Sequence, residues 1–208
     1  MRGRHRALLD QLWRERLHTD PQVLTLSLPA VREAFASIWE PALLLKSLLN
    51  PLPGGLLALW LAQQGGHIVV SHAPSHYESG RESWRNQELA AVGTVCAADL
   101  AAAPQQALYP VAHLIDHLLG SHLSEGGRWF SDGTGATPRL AEQASRFAEA
   151  YRLSYATPTG LDESPRAYWA RILSLYLVSP TELNTIDPLG YRLLQGTLLA
   201  DRWWPPLH

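Results

Sequence analysis

His113-Leu114-Ile115-Asp116-His117 is the stretch around which the chain is organised. On a helix, side chains four apart lie one turn apart on one face, so His113 and His117 point the same way. Two imidazoles placed like this can grip one metal ion, and zinc suits that ligand type. Hydrolysis at such an ion also needs a group that takes a proton from water. The position after the first histidine is Leu114, whose alkyl side chain takes none. Asp116 is the carboxylate within the stretch, and it flanks the pair on the side away from Leu114. The helix carrying these residues is expected over Gln105 to Ser121, with Val111, Leu114, Ile115 and Leu118 as its apolar face.

Toward the N-terminus, Pro104 closes an ambiguous segment, residues 88–103. Ala91-Val-Gly-Thr-Val-Cys-Ala97 suits a strand, and the alanines on either side suit a helix. Ala73 to Gln87 reads as a polar loop. His67-Ile-Val-Val-Ser-His72 is the clearest strand. Leu56 to Gln64 is a short helix closed by Gly65-Gly66. Asn50-Pro-Leu-Pro-Gly-Gly55 reads as a turn or linker and as the best internal boundary. Before it, helices are expected over residues 5–18, from Pro29 to Glu40, and from Pro41 through Leu49.

Toward the C-terminus, Ser124 to Gly135 is a Gly-rich loop. Its Ser131-Asp-Gly-Thr-Gly135 lacks the lysine of a phosphate cradle and is expected to cover the histidine helix. Helices follow over Pro138 to Tyr155, Arg166 to Val178 and Asp187 to Ala200. The apolar tail, Trp203-Trp-Pro-Pro206, is expected to dock on the body. The pattern is mostly helical with one small sheet, which is the α+β class. It divides into an N-terminal helical segment, residues 1–50, and a main domain, residues 51–208.

With 208 residues and 46% hydrophobic side chains, the chain can bury a core. Its net charge of −2 gives no electrostatic case for nucleic acid. The lone Cys96 excludes an internal disulfide and a cysteine-based zinc site. The longest apolar runs, around Leu43–Leu45 and Leu56–Ala62, fall far short of a membrane span. The basic N-terminus runs into an amphipathic helix and not into a signal-peptide core. The expected setting is soluble and cytoplasmic.

The histidine pair and the residues after it resemble the gluzincin metallopeptidases of the anthrax lethal factor catalytic type. In that family one helix carries H-E-x-x-H, whose Glu is the general base, and a later helix supplies a Glu as third zinc ligand. His113 to His117 fills the first slot. Ser164-Pro165-Arg166-Ala167-Tyr168-Trp169-Ala170-Arg171 resembles the second. Leu175-Tyr-Leu-Val-Ser-Pro-Thr-Glu-Leu-Asn184, Asp187-Pro188 and Tyr191-Arg-Leu-Leu194 resemble the family's tail. The likeness covers roughly residues 50–200. It departs at two carboxylates: Leu114 stands for the base and Arg171 for the ligand. The resemblance therefore implies a zincin-like lobe and a retired peptidase. A second register, Phe147-Ala-Glu-Ala-Tyr-Arg152, also resembles the ligand-bearing run and makes Glu149 the third metal ligand.

Three functions follow. The first is a degenerate zinc-metallopeptidase-like protein, inactive or altered, with a residual His113/His117 site. The second is a working metal-dependent hydrolase with zinc on His113, His117 and Glu149. The third is a metal-free interaction module for a protein or peptide partner. Asp116 is the catalytic candidate, because H-x-x-E-H is the inverted zincin pattern and this stretch has Asp for Glu. The competing reading is an Asp that hydrogen-bonds a neighbour. Glu149 also has a competing reading, since Glu142, Ser145, Arg146 and Arg152 share its face. That is how a solvated ion-pair face looks, at ~0.2–0.5 kcal/mol per pair. His67, His72, His76 and His122 are spare ligands if the fold gathers them. Arg171 is expected to enter the site and pair with a carboxylate such as Asp116. Leu114→Glu is expected to leave the fold intact.

Overall fold

A computed structural model describes residues 2–124, 126–155 and 163–205, and the side chains among them except those of residues 2, 154 and 155. Helix α1 (Arg2–Arg16) leads into strand β1 (Leu17–Thr19). Helices α2 (Pro29–Ala34), α3 (Glu40–Leu48) and α4 (Gly54–Leu61) connect it to β2 (His67–Ser71). Then come β3 (His76–Trp84), β4 (Gln87–Cys96), α5 (Ala97–Ala102), α6 (Pro104–Ala107) and α7 (Tyr109–Ser121). A 3-10 turn at Phe130–Asp132 precedes α8 (Pro138–Tyr155), α9 (Pro165–Val178), α10 (Pro180–Ile186) and α11 (Pro188–Gly196). The fold is α+β and mostly helical, with one small sheet. Among the described residues no helix is long and apolar enough to cross a membrane.

The four strands lie in the order β1-β2-β4-β3. The first three are parallel, and β3 is antiparallel at the edge. Every residue of β2 is buried, as its apolar run demands of a strand with neighbours on both sides. Residues 73–87 are not the expected loop, since β3 occupies most of them. Its residues largely alternate between exposed and half-buried. A polar, charged strand is what a sheet edge tolerates, because charges blunt pairing with other chains. The hairpin turn explains why no glycine marked it. Arg85 and Asn86 both take the left-handed backbone, with φ of 45° and 66°, the geometry a two-residue hairpin requires.

Three expected helices are shorter or divided. The helix begun at Pro29 stops at Ala34, since Phe35 is extended (φ −130°, ψ 118°) and turns inward. The segment expected over Gln105 to Ser121 breaks at Leu108, where Tyr109-Pro110 begins α7. The last expected helix, Asp187 to Ala200, starts as expected, where the Asp187 side chain accepts from Gly190 N–H and caps α11, but it ends at Gly196, and α10 is an additional helix before it. Residues 17–19 leave the first helix because Leu17, His18 and Thr19 pair with Ile68, Val69 and Val70.

The main hydrophobic core takes side chains from Leu9 to Leu198, and a small second cluster of Val69, Leu89 and Val92 lies apart from it. The main core draws on both sides of Asn50–Gly55, so the first fifty residues pack into it with the rest. Within that stretch Leu52 is wholly buried, and Gly54 N–H donates to Asp201 at 3.1 Å. Trp204 docks the tail by donating its indole N–H to Leu198 C=O at 2.8 Å. The α7 helix is central. It packs against β3 and β4 on one side and α9 on the other, and His113 alone between Pro110 and Gly120 is not buried.

Candidate functional site

Helix α7 ends where His122 and Leu123 take left-handed backbone (φ 54° and 63°) and turn the chain back along it. Two glycines allow the close approach. A Cβ on Gly120 would collide with the backbone of Arg128 to Phe130, and one on Gly127 with His117 Nε2. The returning chain lays Trp129 on the His117 ring, with centroids 5.2 Å apart and planes at 27°. This is the covering loop expected from Ser131 to Gly135, extended back to His122.

His117 is wholly buried. Its Nε2 lies 2.9 Å from Ser124 C=O, which can only accept, so Nε2 carries the proton. Nδ1 is then bare in the neutral ring and accepts from Tyr77 O–H at 2.7 Å. Burial, followed by Arg166, holds the His117 pKa below its ordinary value and keeps that neutral form. Burial pushes the Tyr77 phenol upward, so it stays a donor. Both nitrogens of His117 are thus engaged by the protein.

Asp116 is also wholly buried. Ser131 N–H donates to one carboxylate oxygen at 2.7 Å, and Ser131 Oγ–H to the other at 2.6 Å. Burial pushes the carboxyl up to about 7, against the opposing pull of the two Ser131 bonds. An Asp held in this way does not reach water.

His113 is half-buried and meets Trp129 edge-on, at 6.2 Å and 90°. It lines an open cleft of about 440 Å³. Burial, then Arg166, lowers its pKa. Arg166 is the cation that faces this site. Its guanidinium lies 4.3 Å from the Trp129 ring centroid and pairs with Asp132 at 2.6 Å.

Arg171 does not take the expected place. It pairs with Glu163 at 3.2 Å and lies over Tyr168, while Asp116 bonds Ser131. Leu114 is wholly buried in the hydrophobic core. Glu149 is exposed on α8, where Arg146 pairs with Glu142. The spare histidines have separate partners: His67 meets His18 at 3.0 Å, His72 meets Asp20 at 3.3 Å, and His76 lies 3.9 Å from Glu82. Among the described residues His122 Nε2 has no hydrogen-bond partner. Among the described residues no three His, Cys, Asp or Glu side chains stand together to hold a metal ion. Both nitrogens of His117 are bonded to the protein, and among the described residues no carboxylate joins the pair, so a zinc ion on His113 and His117 would first have to displace one of these bonds.

Four residues of the site carry no sequence signal of their own: Tyr77, Trp129, Ser131 as the partner of Asp116, and Arg166 as the facing cation. Only the glycines of the covering loop hinted at them. Compared with known proteins, the chain matches no family model, no curated protein and no solved structure.

Proposed function

We propose that this chain is a degenerate zinc-metallopeptidase-like protein that binds a protein or peptide partner and does not hydrolyse it. The observation that carries the reading is His117, whose two ring nitrogens are taken by Tyr77 O–H and Ser124 C=O. A metal at Nε2 would have to displace the Ser124 carbonyl, and one at Nδ1 the Tyr77 hydroxyl. Structural and catalytic zinc sites use at least three protein ligands, and His113 is the remaining donor of the pair. Leu114 supplies no general base, a contribution typically worth ~10²–10⁴-fold in rate. Asp116 is tied to Ser131 within the core. A cytoplasmic setting belongs to the same proposal. The hydrolase reading with Glu149 as ligand has no observation in its favour.

The test is zinc competition against a chromophoric chelator, run beside a peptide-library assay with zinc added. The expected result is no stoichiometric zinc at micromolar protein and no cleavage. One tightly held zinc per chain, lost in His117→Ala, would overturn the reading.

A further inference from the structure

The cleft beside His113 has a chemistry of its own. It lies between the start of β3, α5, α6 and the head of α7, and encloses about 440 Å³. His76, Tyr77, Gln106, Tyr109 and His113 line it, with Asp99 the one carboxylate. No lysine or arginine is among its described lining residues.

Asp99 is held in place. Its Oδ2 accepts from Ser75 Oγ–H at 2.7 Å, and Ser75 Oγ accepts in turn from Cys96 N–H at 3.0 Å. Asp99 is half-buried and lines the cleft with this bond in place. Tyr77 spends its hydroxyl on His117, so it lines the cleft without that donor. Tyr109 is half-buried and lines the cleft as well. Two guanidinium groups act on cleft residues, Arg166 on His113 and Arg171 on Tyr109, and each is paired with a carboxylate, Arg166 with Asp132 and Arg171 with Glu163. A fixed carboxylate in a cleft lined by two tyrosines favours a cation, because an aromatic ring face attracts positive charge and does so more strongly where water is excluded.

We propose that this cleft binds an organic cation, an alkylammonium or quaternary ammonium group, with Asp99 as its counter-ion and Tyr77 and Tyr109 as its walls. The ammonium reaches the cleft as a free amine or as the side chain of a lysine in a peptide. The inference does not rest on the proposed loss of hydrolysis, and it survives if that reading fails.

The experiment is ¹H NMR titration of the full chain at constant ionic strength with four probes: tetramethylammonium, n-butylammonium, N-acetyl-Gly-Lys-Gly-amide, and tert-butanol as a neutral near-isostere of the first. The ammonium probes are expected to bind at least ten-fold more tightly than tert-butanol. Asp99→Asn keeps an acceptor for Ser75, and should weaken ammonium binding at least ten-fold. Tyr109→Leu leaves the Asp99–Ser75 contact untouched and should weaken it several-fold. Tripeptide binding equal to that of butylammonium assigns a peptide source, and binding of the simple amines alone assigns a free amine. Equal affinity for tert-butanol overturns the proposal. So does undiminished ammonium binding in either variant, once its circular dichroism and melting match the wild type, or an absence of ammonium binding.

Discussion

Ser131 closes on Asp116 with both of its donors, the backbone N–H at 2.7 Å and the hydroxyl at 2.6 Å, one to each carboxylate oxygen. The bond joins the covering loop to the central helix, so it fixes how Trp129 and Ser124 sit on His117. Ser131→Ala removes one donor from a buried carboxylate. Hydrogen bonds to charged groups contribute ~1.5–3 kcal/mol. That loss is expected in urea denaturation at pH 8, where Asp116 is ionised. A change no larger than the ~0.5 kcal/mol of an ordinary surface substitution would refute the assigned role.

The pH dependence of stability follows from two buried groups of opposite sign. Asp116 has a folded pKa of about 7 against an ordinary 3.8. Its protonated form is favoured by folding, so its contribution is full below 3.8 and is lost as the pH rises through 7. His67 sits against His18, and burial lowers its pKa from 6.5 to about 4. Its neutral form is favoured by folding, so its contribution is full above 6.5 and is lost as the pH falls toward 4. At ~1.4 kcal/mol per pKa unit that loss has a ceiling of about 3 kcal/mol. His18, His113 and His117 are lowered in the same direction. Four histidines oppose one aspartate, so melting temperature should fall between pH 6.5 and 4. His67→Gln should reduce that fall and Asp116→Asn should steepen it. A melting temperature that rises on acidification would contradict the assignment of His67, and an Asp116→Asn variant that flattens the fall would contradict that of Asp116.

Leu114→Glu should abolish folding or come close to it. Leu114 is wholly buried among apolar side chains, so the new carboxylate would have no partner. An uncompensated buried charge costs ~3–5 kcal/mol, a large part of a domain's usual ~5–15 kcal/mol. The position that matches the peptidase base by spacing therefore cannot simply be restored. A soluble variant with wild-type melting would show that Leu114 faces the site.

Arg166→Gln should raise the pKa of both His113 and His117. Burial and then the positive charge of the guanidinium both disfavour the protonated form of each ring. Two-dimensional NMR of the histidine rings reads the shift directly. Arg171→Gln should leave both values where they are, because Arg171 is paired with Glu163. Equal responses to the two substitutions would undo the distinction between these arginines.

The sequence by itself determined what short-range pattern can carry. It placed α8 over Pro138 to Tyr155 from its apolar stripe, β2 from an unbroken apolar run, and the histidine pair on the body of a helix. It also determined the class, because the stripes are mostly of helical period. Tertiary structure decided the rest, for physical reasons visible at particular residues. Strand β3 is polar and became a strand only because β4 offered it a partner. Residues 17–19 left their helix to pair with β2. Asn50 to Gly55 looks like a linker locally, but Leu52 fills a core contributed from elsewhere in the chain. Nothing in the local pattern of α9 says what its arginines meet, and only tertiary packing set Arg166 over Trp129 and Arg171 beside Glu163. The state of the histidine pair was the least legible, since it depends on Tyr77, forty residues from His117. Spacing on one helix tells which side chains share a face, but whether their nitrogens are free depends on what the rest of the chain lays against them.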